Sequence, residues 1–115
     1  MSQALFEASL DSVLEPIFTI FGHMTQANRQ VMGLITPGLR SNEDRRGDLF
    51  QAIRAHYHAR MAEIGAGVID LTEDTCDANG VLRHDFWAED PKDIVHANRK
   101  WGKAVSRAWL QVLGI

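Results

Sequence analysis

Leu10, Val13, Ile17, Ile20, Met24, Ala27, Val31 and Leu34 recur at alternating spacings of three and four, the period of a helix packed along a seam. Between Leu5 and Phe21 a second set, Phe6, Leu14, Phe18 and Phe21, widens the apolar arc and predicts burial on more than one side. The seam lacks flanking charge pairs, so the pattern describes a bundle helix and not a two-stranded zipper. Pro16 removes a backbone donor and clashes with the preceding turn, which predicts a kink or short break. Helix then resumes to about Leu34, and Thr36-Pro37-Gly38 ends it.

Ser41-Asn42-Glu43-Asp44 supplies a cap and first-turn carboxylates for a second helix. Its apolar stripe is Leu49, Ile53, Tyr57, Met61 and Ile64, and Gly65-Ala66-Gly67 stops it, giving a helix over 42–65. Asp77-Ala78-Asn79-Gly80 is a strong turn signal, with Val68–Thr72 and Val81–Trp87 on either side as short strands or irregular loop. Asp90 as cap, Pro91 at the first helical position and Asp93 in the first turn predict a last helix, lined on one face by Ile94, Trp101, Val105, Ala108 and Val112. The expected architecture is a mainly α bundle of three helices, or four with a break at Pro16. An irregular elbow or short β-hairpin at about 68–87 precedes the last helix.

Composition adds bounds. A chain of 115 residues, 45% hydrophobic and 23% charged, predicts one globular domain spanning 1–115. The lone Cys76 excludes an intrachain disulfide and a cysteine-based zinc cage. Met1-Ser2-Gln3 has no basic leader region, and the near-apolar stretch Val13–Phe21 is interrupted by Glu15 and Pro16. A membrane span needs about 20 apolar residues, so neither a transmembrane segment nor a secretory signal is expected, and a cytoplasmic location is.

The net charge is only −3, but its distribution is uneven. Eight acids (Asp70, Glu73, Asp74, Asp77, Asp85, Glu89, Asp90, Asp93) stand against Arg83 and Lys92, and then four bases (Arg99, Lys100, Lys103, Arg107) follow with no acid. Internal pairing of elbow and last helix is the economical explanation; a surface for an acidic partner is the other.

Candidate chemistry is sparse. Asp77-Ala78-Asn79-Gly80-Val81-Leu82 imitates the middle of a calcium-binding loop, yet Thr75 and Phe86 fall where the two end carboxylates belong, so it reads as a plain turn. His56 and His58 flank Tyr57 and point about 200° apart on a helix, which prevents both from ligating one ion. Cys76 among Glu73, Asp74 and Asp77 is a poor nucleophile, since neighbouring carboxylates disfavour its thiolate. No nucleophile elbow, nucleotide loop or glycine fingerprint is present, and no cofactor is implied.

The last helix is the most suggestive feature. It combines Trp101 and Trp109 with Arg99, Lys103 and Arg107, residue types enriched at binding hot spots. Its plain alternative is that the tryptophans fill the core. The functional expectation is therefore a non-enzymatic, adaptor-type interaction protein. It self-associates as a homodimer through helix one and binds a partner protein through the Trp/basic helix and the acidic elbow. The alternatives are a small helical enzyme or ligand- or metal-binding domain using His56, His58 and Arg54, and a peripheral binder of an anionic lipid or granule surface. Nucleic acid is not an expected partner, because the chain is acidic and has no basic patch with stacking aromatics.

Overall fold

The computed structural model describes residues 2–115. Met1, part of the chain start considered above, lies outside the described residues. Among the described residues the protein is mainly helical, as the apolar periodicity predicts, with four helices and a small two-stranded parallel sheet. The elements are α1 (Gln3–Gln26), β1 (Met32–Leu34), α2 (Arg46–Glu63), β2 (Gly67–Ile69), α3 (Thr72–Thr75) and α4 (Arg99–Val112), with 3-10 turns at Glu43–Arg45 and His84–Phe86. The residues group into two compact units, Met1–Gly33 with Ala52–Val68, and Leu34–Gln51 with Ile69–Ile115.

In the first unit, the Ser2 hydroxyl caps α1 by accepting the Leu5 N–H at 3.1 Å. The helix runs unbroken through Pro16, which cannot donate to the Ser12 carbonyl one turn back; both residues are exposed. It stops at Gln26 and not at Leu34. Asn28 takes a left-handed φ of 60°, while the N–H groups of Asn28 and Arg29 donate to Thr25 and Met24 oxygens, each at 3.0 Å. That double bond pattern terminates a helix, and Asn tolerates the required conformation. The same closure ends α2 at Gly65 and α4 at Gly114. Val31–Leu34, expected as helix, instead starts the strand segment, with the Gly67 N–H donating to Val31 O at 2.9 Å.

The covered face of α1 is the wider-arc set together with Leu10, and not the rest of the predicted seam within the helix. Phe18 is buried, and Phe6, Leu10, Leu14 and Phe21 are half-buried, whereas Val13, Ile17, Ile20 and Met24 remain exposed, Val13 at 75% and Ile20 at 58%. The Phe18 ring lies 6.0 Å from Tyr57, and the Arg60 guanidinium sits 5.1 Å from the Phe18 centroid. Met61, fully buried, completes this core.

In the second unit, Cys76, Leu82 and Phe86 form the buried centre, with Trp87, Ala97 and Trp101 packed against it. The elbow is made of single bridges and not of a hairpin between 68–72 and 81–87. Leu39 bridges Val81, Cys76 bridges Leu82 and Trp87 bridges Ala97. At the turn between them, the Asp77 carboxylate accepts the N–H groups of Asn79 at 2.8 Å and Val81 at 3.0 Å, and Gly80 takes a φ of +78°. Residues 67–69 pair with β1, so the strand expected at 68–72 exists in part but has a different partner.

The last helix begins at Arg99, eight residues after Pro91. Asp90 accepts the Lys92 N–H at 2.9 Å, and Asp93 accepts those of Val95 and His96 at 3.1 and 3.0 Å. These carboxylates hold local turns, in competition with the cap role predicted for Asp90. The backbone N–H groups of His96 and Val95, then the His96 ring, lower the Asp93 pKa from 3.8 to about 2. A carboxylate depressed in the folded state adds stability above its unfolded pKa and loses it as pH falls through the folded value. Asp93→Asn keeps the accepting oxygen and removes the charge. Wild type should thus exceed the variant in urea midpoint at pH 5, and the gap should close between about pH 4 and pH 2; a gap constant over that range would refute the assignment.

Candidate functional site

The α4 helix is built to present a sorted surface. Asn98 caps it, its side-chain oxygen accepting the Trp101 N–H at 3.2 Å while its amide donates to Asp85 O at 2.7 Å. Lys100 pairs with Asp85 and lies 4.7 Å from the Phe86 centroid, so the first turn is pinned to the His84–Phe86 turn. The Lys100 hydrogen bond holds the Asp85 carboxyl below its ordinary range.

Beyond that turn the helix is open. At about 100° per residue, Trp101, Ala104, Val105, Ala108, Trp109 and Val112 share an arc of about 140°, and Arg99, Lys100, Lys103 and Arg107 occupy about 100° opposite. Every residue of the apolar arc is half-buried and none is buried; Leu110 and Leu113 are exposed. Ile94, predicted to share this face, precedes the helix and is exposed. Arg99, Lys103 and Arg107 are exposed and form no ion pair among the described residues. Trp101, at the N-terminal end of the stripe, belongs to the core cluster of its unit, whereas Trp109 lies about 12 Å further along the axis.

The acidic elbow is occupied locally to a large extent. Asp70 accepts the Thr72 N–H at 3.0 Å, Asp77, Asp90 and Asp93 hold their turns, and Asp85 binds Lys100. Among the described residues, the elbow acids and the α4 bases meet at Asp85 and Lys100. The Cys76 thiol is pushed up chiefly by burial, with Asp77 and Asp70 as smaller contributors. Burial therefore adds to the carboxylate effect read from its neighbours and is the larger cause.

A polar cluster missed in the sequence lies in the first unit. His56 Nε2 meets Asp11 Oδ1 at 2.8 Å, Arg60 Nε reaches the same oxygen at 3.2 Å, and Arg60 also engages Glu63 and, at 3.8 Å, Glu15. The His56 hydrogen bond, with smaller charge contributions from His56 and Arg60, lowers the Asp11 pKa. His56 and Arg60 stand four apart on one face of α2, a spacing visible in the sequence; that Asp11 would be their partner was not. Arg54 and His58 are half-buried elsewhere on α2. This cluster joins α1 to α2 beside Phe18, and its geometry is that of a structural anchor. Among the described residues no three His, Cys, Asp or Glu side chains are grouped to hold a metal ion, and no helix is long and apolar enough to cross a membrane. No known protein family, characterised protein or solved structure matches this chain.

Proposed function

We propose that this is a non-catalytic, adaptor-type interaction protein that docks an amphipathic segment of a partner protein on α4. One observation carries the reading: Trp101, Ala104, Val105, Ala108, Trp109 and Val112 of α4 share one arc away from its four bases and are only partly buried, while Leu110 alone of the large apolar residues of α4 lies among the bases. A sorted helical stripe containing Trp that its own unit covers only in part is a common form of a helix-in-groove or helix-on-helix partner site. The unpaired Arg99, Lys103 and Arg107 favour an acidic partner through charge complementarity.

Immobilised protein should capture a stoichiometric protein partner from native lysate. Trp109→Ala should weaken capture by roughly thirtyfold, the effect of a hot-spot tryptophan worth about 2 kcal/mol. Lys103→Glu with Arg107→Glu, both exposed, should weaken it without altering far-UV circular dichroism. Capture indifferent to the charge reversals would refute the reading. Salt-sensitive sedimentation with anionic vesicles in place of protein capture would reassign the face to a lipid surface.

A second observation supports self-association through α1. Val13, Ile17, Ile20 and Met24, exposed in the first unit, continue the heptad spacing from Leu10 and carry no charge. A seam of this period fits another helix of the same period, and a second copy of α1 supplies one around a two-fold axis.

A further inference from the structure

We infer that the second unit holds a binding site for a small amphipathic carboxylate, with its apolar tail beside Trp101 and its carboxylate toward Arg40 and Arg46. A cavity of about 390 Å³ is walled by Leu34, Pro37, Val95, Ala97 and Trp101. A second, of about 420 Å³, shares Thr36, Pro37 and Val95 with it and is lined by Arg40, Ser41 and Arg46. Each falls within the range of small-ligand sites, roughly 300–1,000 Å³. Together they set an apolar chamber against a polar one.

The charge of the polar chamber selects the ligand's sign. Among the described residues, Arg40 and Arg46 are the charged side chains that line it, His96 lines the first cavity, and no Asp or Glu lines either. Arg40 is already oriented. One terminal nitrogen donates to the His96 carbonyl, and the guanidinium lies 5.4 Å from the Trp87 ring centroid. Its other terminal nitrogen, Nη1, is buried with no acceptor. A buried donor without a partner is rare in folded proteins; Arg40 lines the polar chamber, and a small turn of its guanidinium toward a carboxylate there gives Nη1 the acceptor it lacks. Arg46, exposed at the same cavity, adds a second cation from the start of α2. A ligand with a carboxylate and an apolar chain satisfies both chambers; a purely apolar ligand leaves Nη1 unpaired.

The test uses octanoate below its micelle concentration, with octanol and acetate as the apolar-only and anion-only probes, followed by amide chemical shifts. Octanoate should shift residues 34–41 and 94–97 and bind at least about tenfold tighter than either control, the scale of one charge-assisted hydrogen bond. Val95→Trp, at a wall position 70% exposed and so harmless to folding, should fill the apolar chamber and weaken octanoate by about tenfold. Arg46→Ala, also at an exposed position, should bring octanoate toward the affinity of octanol. Equal binding of octanoate and octanol to wild type, shifts confined to other residues, or octanoate binding unchanged in Val95→Trp would each overturn the inference. Trp109→Ala leaves both chambers intact, so failure of the α4 docking reading and failure of this one are separable.

Discussion

Gly38→Ala is expected to cost about 3 kcal/mol or more and to disrupt the second unit, a large share of the 5–15 kcal/mol that stabilises a typical domain. A Cβ at this position would collide with the Cys76 sulfur and lie 2.6 Å from Gly80 O and 3.3 Å from Leu82 N. The sulfur belongs to the buried cluster, and Gly80 O is itself engaged, accepting the Leu39 N–H at 2.9 Å. Gly80 O cannot retreat without breaking the Leu39–Val81 bridge that ties residues 38–40 to the Asp77–Gly80 turn, nor the sulfur without disturbing the buried cluster. Gly22→Ala is the matched control. A Cβ there meets nothing within 4 Å inside α1. It should stabilise by up to about 1 kcal/mol, the helix-propensity difference between the two residues. Urea denaturation of both variants measures the contrast. A Gly38→Ala midpoint equal to wild type would mean that the chain at Gly38 does not approach Cys76 and Gly80 this closely.

Ile20→Glu is expected to convert a dimer into a monomer. Ile20 lies 58% exposed in the α1 seam, so the substitution leaves the folded chain intact and acts on association. Across a two-fold axis the change enters twice. The loss of about 2 kcal/mol of apolar burial per copy sums to roughly 4 kcal/mol per dimer, near a thousandfold in dissociation constant. Sedimentation equilibrium at tens of micromolar should give twice the chain mass for wild type and the chain mass for Ile20→Glu, with unchanged helicity. A monomeric wild type at that concentration would remove the homodimer from the proposal and leave α4 docking unaffected.

Local chemistry was legible from residues close in sequence. The three long helices follow from apolar periodicity, and the Asp77–Gly80 turn follows from an Asx carboxylate and a glycine in a left-handed conformation. The C-terminal stop of α2 at Gly65 was equally visible. Where two local signals compete, the sequence is ambiguous. Asp90 and Pro91 suit a helix start, but carboxylates that accept backbone N–H groups two or three residues ahead suit turns equally well. The Trp87–Ala97 bridge and the capping contacts of Asn98 favour the later start. Asn28, in its left-handed conformation, ends α1 although the apolar repeat runs on to Leu34.

The candidate surfaces divide in the same way. Trp101, Trp109, Arg99, Lys103 and Arg107 were identifiable as one helix, because residues on one helix keep fixed angular relations. That Trp101 joins the Phe86 cluster, and that Arg40 leaves a buried nitrogen without an acceptor, depends on chain segments that meet at sequence separations of 15 and 56 respectively. Sequence by itself determined the helical class, the turn chemistry and the sorting of α4, since each rests on contacts within a few residues. Tertiary structure alone decided which part of the broad apolar arc of α1 is covered. One neighbouring helix cannot cover that whole arc, and the contact of Asp11 with His56 and Arg60 on α2 turns the phenylalanines inward and leaves Val13, Ile17, Ile20 and Met24 outside.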